Sequence, residues 1–217
     1  FNMETGNVEN NICVGRKTLY NVNATIHGVG GHSGNDFVKG ANAVHEAVMK
    51  TYHMIPLTDL EKGSTVTTSI LKGGDIVARI PDTCELAYDV RFASAAEGTR
   101  LKERIAEIME TTYTPGTSTE YEIVEANFPT YEDTEDVEKL LSFVNRIATD
   151  NGFPAFGSVK LGGASDAGNI QRAGIPVLCS CGVCGQYNHN LKEYAIVQSL
   201  FDRTEIWSLV VLALGQF

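Results

Sequence analysis

Three stretches of this sequence place together residue types that can do chemistry. The first runs Gly162-Gly163-Ala164-Ser165-Asp166, then Gly174-Ile175-Pro176, then His189-Asn190-Leu191-Lys192-Glu193. Asn190 and Glu193 have the spacing of a helix N-cap and its returning third-position acid, which predicts a long final helix from about Leu191. His189 is then the residue just before a helix, where folding sets the direction of its ring. A metal ligand gains from that placement; the other reading is a surface histidine beside a cap. The Gly162-Gly163 turn lets backbone approach a ligand closely, and Ser165 or Asp166 can cap the short helix beyond it. In the second stretch, Gly28-Val29-Gly30-Gly31-His32-Ser33-Gly34, His32 stands among glycines and reads on its own as a turn residue. The third holds Cys179, Cys181 and Cys184, three thiols that could bind zinc or carry redox chemistry. Against that, alternate residues of a buried strand through Cys179 point to opposite faces, and a free cysteine is usually a small core residue.

The elements that must position these residues alternate between strand and helix. Lys17 to His27 alternates apolar and polar residues, as do Thr65 to Leu71 and Cys84 to Phe92, and each reads as a half-buried strand. Lys39 to His53 and Ala96 to Thr112 carry apolar residues at helical spacing, and Ser118 to Ala126 is a fourth strand. Together, residues 18–127 spell β-α-β-β-α-β, the split unit of a ferredoxin-like sandwich. Beyond a proline-containing join come a helix from Asp133 to Asn151, a Gly-rich turn, a short helix ending near Gly174, and a buried strand from Ile175 to Cys179. Trp207 to Leu214 reads as a buried helix face. This second block is small for an independent α/β domain and reads as one end of a larger sheet.

Composition narrows the function classes. The sequence has 217 residues, 43% of them hydrophobic and 20% charged, which is ordinary for a globular chain. With 17 basic against 27 acidic residues the net charge is −10, so neither a nucleic-acid nor an anionic-membrane partner is expected. No apolar run approaches the ~20 residues of a membrane span. Five cysteines, three of them crowded together, do not form a spaced disulfide framework, so a reducing, cytoplasmic setting is expected. The start, Phe1-Asn2-Met3-Glu4-Thr5-Gly6, has no initiator Met and no signal core, and a fragment or processed product is expected.

Taken in order, Gly-Gly-x-Ser-Asp-Ala, Gly-Ile-Pro and His-x-x-x-Glu-Tyr resemble the C-terminal signature of the aminoacylase and glutamate-carboxypeptidase family of dinuclear zinc peptidases. Gly28 to Asn35, Gly40-Ala41-Asn42-Ala43, Ile80-Pro81 and Asp89-Val90-Arg91 resemble that family's lid. The resemblance implies an α/β fold with a ferredoxin-like lid or dimerisation domain (18–127) and part of a zinc-hydrolase catalytic domain (1–17 and 128–217). It implies hydrolysis of the amide bond of a small peptide or N-acyl amino acid with a free carboxylate, and a homodimer through the lid. By position, His189 and Glu4 match metal ligands, and His32 matches the lid histidine that polarises the scissile carbonyl in the neighbouring subunit's site. Arg91 matches the arginine that holds the substrate carboxylate, and Gly163 lies in the turn lining the substrate pocket. Two zinc ions per active site are implied.

Two departures bear on this reading. Ala78 stands where the family usually carries a substrate-binding Asn. The His-x-Asp pair, the bridging Asp and the Glu-Glu pair have no counterparts, so the chain alone is expected to be incomplete and inactive. A non-catalytic dimerisation module, or a protein built around a cysteine metal or redox cluster, are the alternatives.

Overall fold

In order along the chain, the computed structural model forms β1 (Asn11–Arg16), β2 (Thr18–His27), β3 (Gly31–His32), α1 (Ala43–Met54), β4 (Thr65–Gly73), β5 (Arg79–Ile80), β6 (Thr83–Phe92) and α2 (Ala95–Glu110). Next come β7 (Ser118–Glu125), α3 (Glu135–Asp150), β8 (Gly157–Leu161), α4 (Ala167–Arg172), β9 (Gly185–Gln186), β10 (Tyr194–Ala195) and α5 (Val197–Ala213). All residues, Phe1–Phe217, are described. The chain divides into a unit of residues Thr18–Asn127 and a unit made of Phe1–Lys17 with Phe128–Phe217.

The continuous unit is an antiparallel four-stranded sheet in the order β4-β6-β2-β7. Its two helices cover one face, the ferredoxin-like arrangement. Period-2 patterning explains why: Tyr20, Val22, Ala24 and Ile26 on β2 and Leu86, Tyr88, Val90 and Phe92 on β6 all point to the buried side. They pack against Ala43, Ala47 and Met54 of α1 and Leu101, Ile105, Ile108 and Met109 of α2. Each Val, Leu, Ile, Phe or Met among them contributes about 1.5–3 kcal/mol on burial. Helix α1 starts where Asn42 Oδ1 accepts from the N–H groups of Val44 and His45.

One polar device sits inside this core. Glu46 and Lys50, one turn apart on α1, are both fully buried and pair at 3.1 Å. Lys50 Nζ also donates to the carbonyls of Ile108, Met109 and Thr111 at 3.0, 3.0 and 2.7 Å, which are the orphan acceptors at the end of α2. The Glu46 carboxylate accepts from the N–H groups of Tyr113 and Thr114 just beyond. Every polar atom of the pair has a partner, so the ion pair fixes where α2 ends.

The discontinuous unit is built around β1. It pairs in parallel with β8, from Asn11↔Gly157 to Arg16↔Leu161, and on its other side Cys13 bridges Cys179. Ile12, Cys13 and Val14 are buried among Phe143, Val144, Val177, Leu178, Trp207 and Val210. Asn11–Arg16 and Gly157–Leu161 are strands that the residue pattern leaves unassigned. Three expectations are corrected here. Ile175–Cys179 touches its neighbour as a single bridge and not as a ladder. The last helix begins at Val197, not Leu191, because Asn190 Oδ1 accepts from Lys192 N–H in a local turn and the chain then pairs β10 with β9. Finally, Trp207 and Val210 are buried but Val211 and Leu212 are exposed, so that apolar stretch covers more than the face the unit buries.

Replacing Lys50 with Met strands the Glu46 carboxylate in the core. Urea unfolding should show a loss of about 3–5 kcal/mol, and the double variant Glu46→Gln/Lys50→Met should recover part of it. A Lys50→Met variant as stable as the parent would show that the pair does not hold α1 to α2.

Candidate functional site

In the continuous unit, the glycine-rich loop after β2 folds back to pair β3 with β5, opposing Gly31 to Ile80 and His32 to Arg79. The return is tight: a Cβ on Gly28 would lie 2.1 Å from the carbonyl oxygen of Ala41. His32 is exposed, and its surroundings set its ring. Asp36 Oδ2 accepts from the backbone N–H of His32 at 3.1 Å. The Nδ1 atom accepts from the N–H groups of Gly34 and Asn35 at 3.1 and 3.2 Å. A nitrogen that accepts two backbone N–H groups carries no proton, so in the neutral ring the proton is on Nε2. His32 therefore presents an Nε2–H donor to solvent from a ring held by its own turn. Next to it, the carbonyl of Ala78 accepts from Ser33 N–H at 2.9 Å, and the alanine methyl is exposed.

Arg91 lies at the end of β6 with its guanidinium on Asp89, Nε to Oδ1 at 2.9 Å and Nη2 to Oδ2 at 3.2 Å. That contact raises its pKa further, so it is a permanent cation already holding one carboxylate.

In the discontinuous unit, residues 2–6 run beside residues 178–185. Asn2 N–H donates to Leu178, Cys181 N–H to Asn2, Gly182 N–H to Glu4, and Gly6 N–H to Val183. Glu4 is exposed on this segment. Its backbone packs so closely that a Cβ on Gly182 would meet the carbonyls of Met3 and Glu4 at 2.6 and 2.8 Å. His189 is exposed in the loop between β9 and β10, at φ 64°, in the left-handed region that a histidine rarely occupies. Glu193 Oε2 accepts its backbone N–H at 3.3 Å. The carboxylate predicted as a returning cap thus clamps the His189 turn. The constraint on His189 comes from a hairpin loop and not from a helix start.

Gly163 is exposed in the loop after β8, and a Cβ there would meet nothing closer than 3.7 Å, while Gly162 faces open space. Neither glycine is demanded by the packing of this unit. From below, the loop is held by Arg16, a residue that no sequence motif singles out. Its guanidinium spans Gly163 O from Nη1 (3.3 Å), Cys179 Sγ from Nε (3.3 Å) and Ser180 Oγ from Nη2 (3.2 Å). Ser165 Oγ lies 3.3 Å from Cys179 Sγ and accepts from Ala167 N–H at 3.1 Å, so Ser165 and not Asp166 supplies the cap of α4. An arginine ending a short strand carries no signature of such a role; only the fold reveals it.

No group of three or more His, Cys, Asp and Glu side chains converges anywhere in the chain. A zinc centre needs about three protein ligands, so these residues alone do not form one. The cysteine cluster does not form a metal site either. Cys179 faces Arg16 and Ser165, Cys181 donates to the carbonyl of Leu178, and Cys184 meets Arg203. The three thiols point to separate neighbours.

Residues 14–117 match the family model of the peptidase dimerisation domain, M20_dimer. Carboxypeptidase G2 of Pseudomonas sp. (strain RS-16) is 23% identical over 205 residues, 94% of this chain and 49% of that protein. The aminopeptidase PepT of Bacillus cereus has the same fold with a TM-score of 0.77 at 23% identity, over 95% of this chain and 54% of its own. A Bacillus subtilis protein solved as a dinuclear metal binding peptidase of the M20 family aligns with a TM-score of 0.66 at 14% identity, over 100% of this chain and 53% of its own. The chain spans about half the length of the relatives it matches.

Long-range 1H–15N correlation spectra of the neutral protein should show His32 protonated at Nε2. Protonation mainly at Nδ1 would show that the Gly34 and Asn35 contacts do not set the ring.

Proposed function

We propose that this chain, which carries the dimerisation domain of an M20 peptidase, is the lid and closing portion of a metal-dependent hydrolase. Its substrate class would be a small peptide or N-acyl amino acid with a free carboxylate. The observation that carries this reading is the fixed Nε2 donor of His32, which has the geometry to polarise a scissile carbonyl and to stabilise the oxyanion formed there. Arg91 would take the substrate carboxylate in exchange for Asp89, a role suited to a planar guanidinium. The unfilled space above Gly163 suits a pocket wall, and the exposed methyl of Ala78, in place of an amide, implies substrate anchoring through other groups.

Glu4 and His189 are this chain's share of a metal centre, which we take to be zinc. With two ligands the centre is incomplete, and no catalytic step is assigned to the isolated chain. The same incompleteness favours a second reading, a dimerisation module without activity of its own. Both readings use the lid as a homodimer surface, and the two edges of its sheet differ in a way that says where. Edge strand β7 displays Glu120, Glu122 and Glu125, charges that discourage strand pairing. Edge strand β4 has no charge from Thr65 to Leu71 and exposes Ile70 and Leu71. On α1, Val48, Met49 and Tyr52, with Ile55 just beyond, form an exposed apolar stripe at helical spacing. A second copy would bury both surfaces about a two-fold axis.

Light scattering should find a dimer, and Val48→Glu should convert it to a folded monomer; a parent chain that is monomeric at tens of micromolar concentration would sink the dimer reading. Metal analysis should find little tightly bound zinc in the chain, in His189→Ala and in Cys181→Ala. Stoichiometric zinc that survives His189→Ala but not Cys181→Ala would overturn the assignment of His189.

A further inference from the structure

The Arg16 network has a centre that the proposed hydrolase chemistry does not use, the sulfur of Cys179. Three donors converge on it: Arg16 Nε at 3.3 Å, Ser165 Oγ at 3.3 Å and Asn2 Nδ2 at 3.7 Å. A buried structural cysteine sits among apolar atoms, whereas this one is surrounded as an anion would be. Directly across the strand pair lies Cys13. The two residues exchange both backbone hydrogen bonds, Cys13 N–H to Cys179 O at 3.0 Å and Cys179 N–H to Cys13 O at 3.1 Å. Such a pair has Cα atoms about 5.5 Å apart with both side chains on one face, inside the roughly 4.4–6.8 Å window of a disulfide. Both residues are fully buried, and the Cys13 thiol donates to the Gly15 carbonyl at 3.3 Å.

We propose that Cys13 and Cys179 are a redox pair which hydrogen peroxide oxidises to a disulfide, covalently joining β1 to the extended segment ahead of the β9–β10 hairpin. The Cys13 thiol, the Ser165 hydroxyl and the Arg16 guanidinium lower the pKa of Cys179 against the opposing effect of burial. The Cys179 thiolate attacks one peroxide oxygen, the O–O bond breaks, and the hydroxide released takes up a proton as water. Cys13 sulfur then attacks the sulfenic sulfur of Cys179. The S–S bond forms, the S–O bond breaks, and the oxygen leaves as a second water with the Cys13 proton. The two cysteines lose two electrons and the peroxide gains them.

The remaining thiols are internal controls. Burial raises the pKa of Cys84, and it pushes that of Cys181 up to about 12. Oxidation removes the anionic acceptor that Arg16 and Ser165 share, and these are the residues that hold the Gly163 loop. An effect on substrate binding rests on the proposed reading of that loop, but the disulfide itself does not.

The test is thiol mapping of the intact chain by mass spectrometry after hydrogen peroxide, with free thiols blocked under denaturing conditions. The expected product is a single Cys13–Cys179 cross-link with Cys84, Cys181 and Cys184 still reduced. At mildly acid pH, where the thiolate fraction limits the rate, Arg16→Met should slow its formation, because the variant loses a cation that favours the thiolate. In Cys13→Ser, Cys179 should stop as a sulfenic acid that dimedone captures. No cross-link, a cross-link between other cysteines, or an unchanged rate in a natively folded Arg16→Met variant would each overturn the proposal. Because the readout is mass, failure here leaves the hydrolase reading standing, and failure of that reading leaves this one standing.

Discussion

The discontinuous unit depends on one short strand finding two partners far along the chain. Strand β1 has residues 157–161 hydrogen-bonded on one side and Cys179 on the other. Ile12, Cys13 and Val14 between them have no exposed surface to speak of. Without β1, β8 would lose its strand partner and the buried segment through Cys179 its bridge. The Gly163 loop, the 2–6 segment that carries Glu4 and the approach to the His189 hairpin all lie next to this strand or its two partners. Their geometry is inherited from it, with Arg16 at its end as the clamp.

The continuous unit solves a different problem with the same economy of parts. Its sheet and helices are specified by alternation and by helical spacing, which leave helix length and register loosely set. The buried Glu46–Lys50 pair supplies the missing definition by capping the end of α2 and the turn beyond it. Buried ion pairs add little net stability when satisfied but punish any arrangement that leaves them unsatisfied. A specific position for α2 is the result. Elsewhere on α1, the helix that carries the pair, Val48, Met49 and Tyr52 are exposed.

Much of this was legible from residue pattern. The four lid strands and two lid helices appear where period-2 and helical spacing place them, because each buries one face of a continuous element. The discontinuous unit was harder to read. Asn11–Arg16 and Gly157–Leu161 are short, and a short run has no period that distinguishes a central strand from a loop. Asn190 and Glu193 have a capping-box spacing, yet the same side chains serve a hairpin turn, since a cap pattern reports local hydrogen bonding and says nothing of the element beyond it. His32 could be singled out from its motif, but the reason its ring is useful, two backbone donors on Nδ1, comes only from the folded loop. Arg16 and Cys179 are 163 positions apart, and the opposition of Cys13 to Cys179 spans a similar stretch, so no local pattern encodes either.

The placement of β1 also sets an order of events during synthesis. Residues 11–16 are made before the continuous unit, but their first partner strand is made only after the whole of it. At ~5–20 residues per second that interval is roughly 7–30 s. The lid sheet, whose partners are closer in sequence, has that time to fold on the ribosome while Ile12, Cys13 and Val14 wait uncovered. The strand ladder of β1 therefore closes only after synthesis has passed the whole continuous unit, so a pause within residues 18–127 lengthens the time that β1 is without β8.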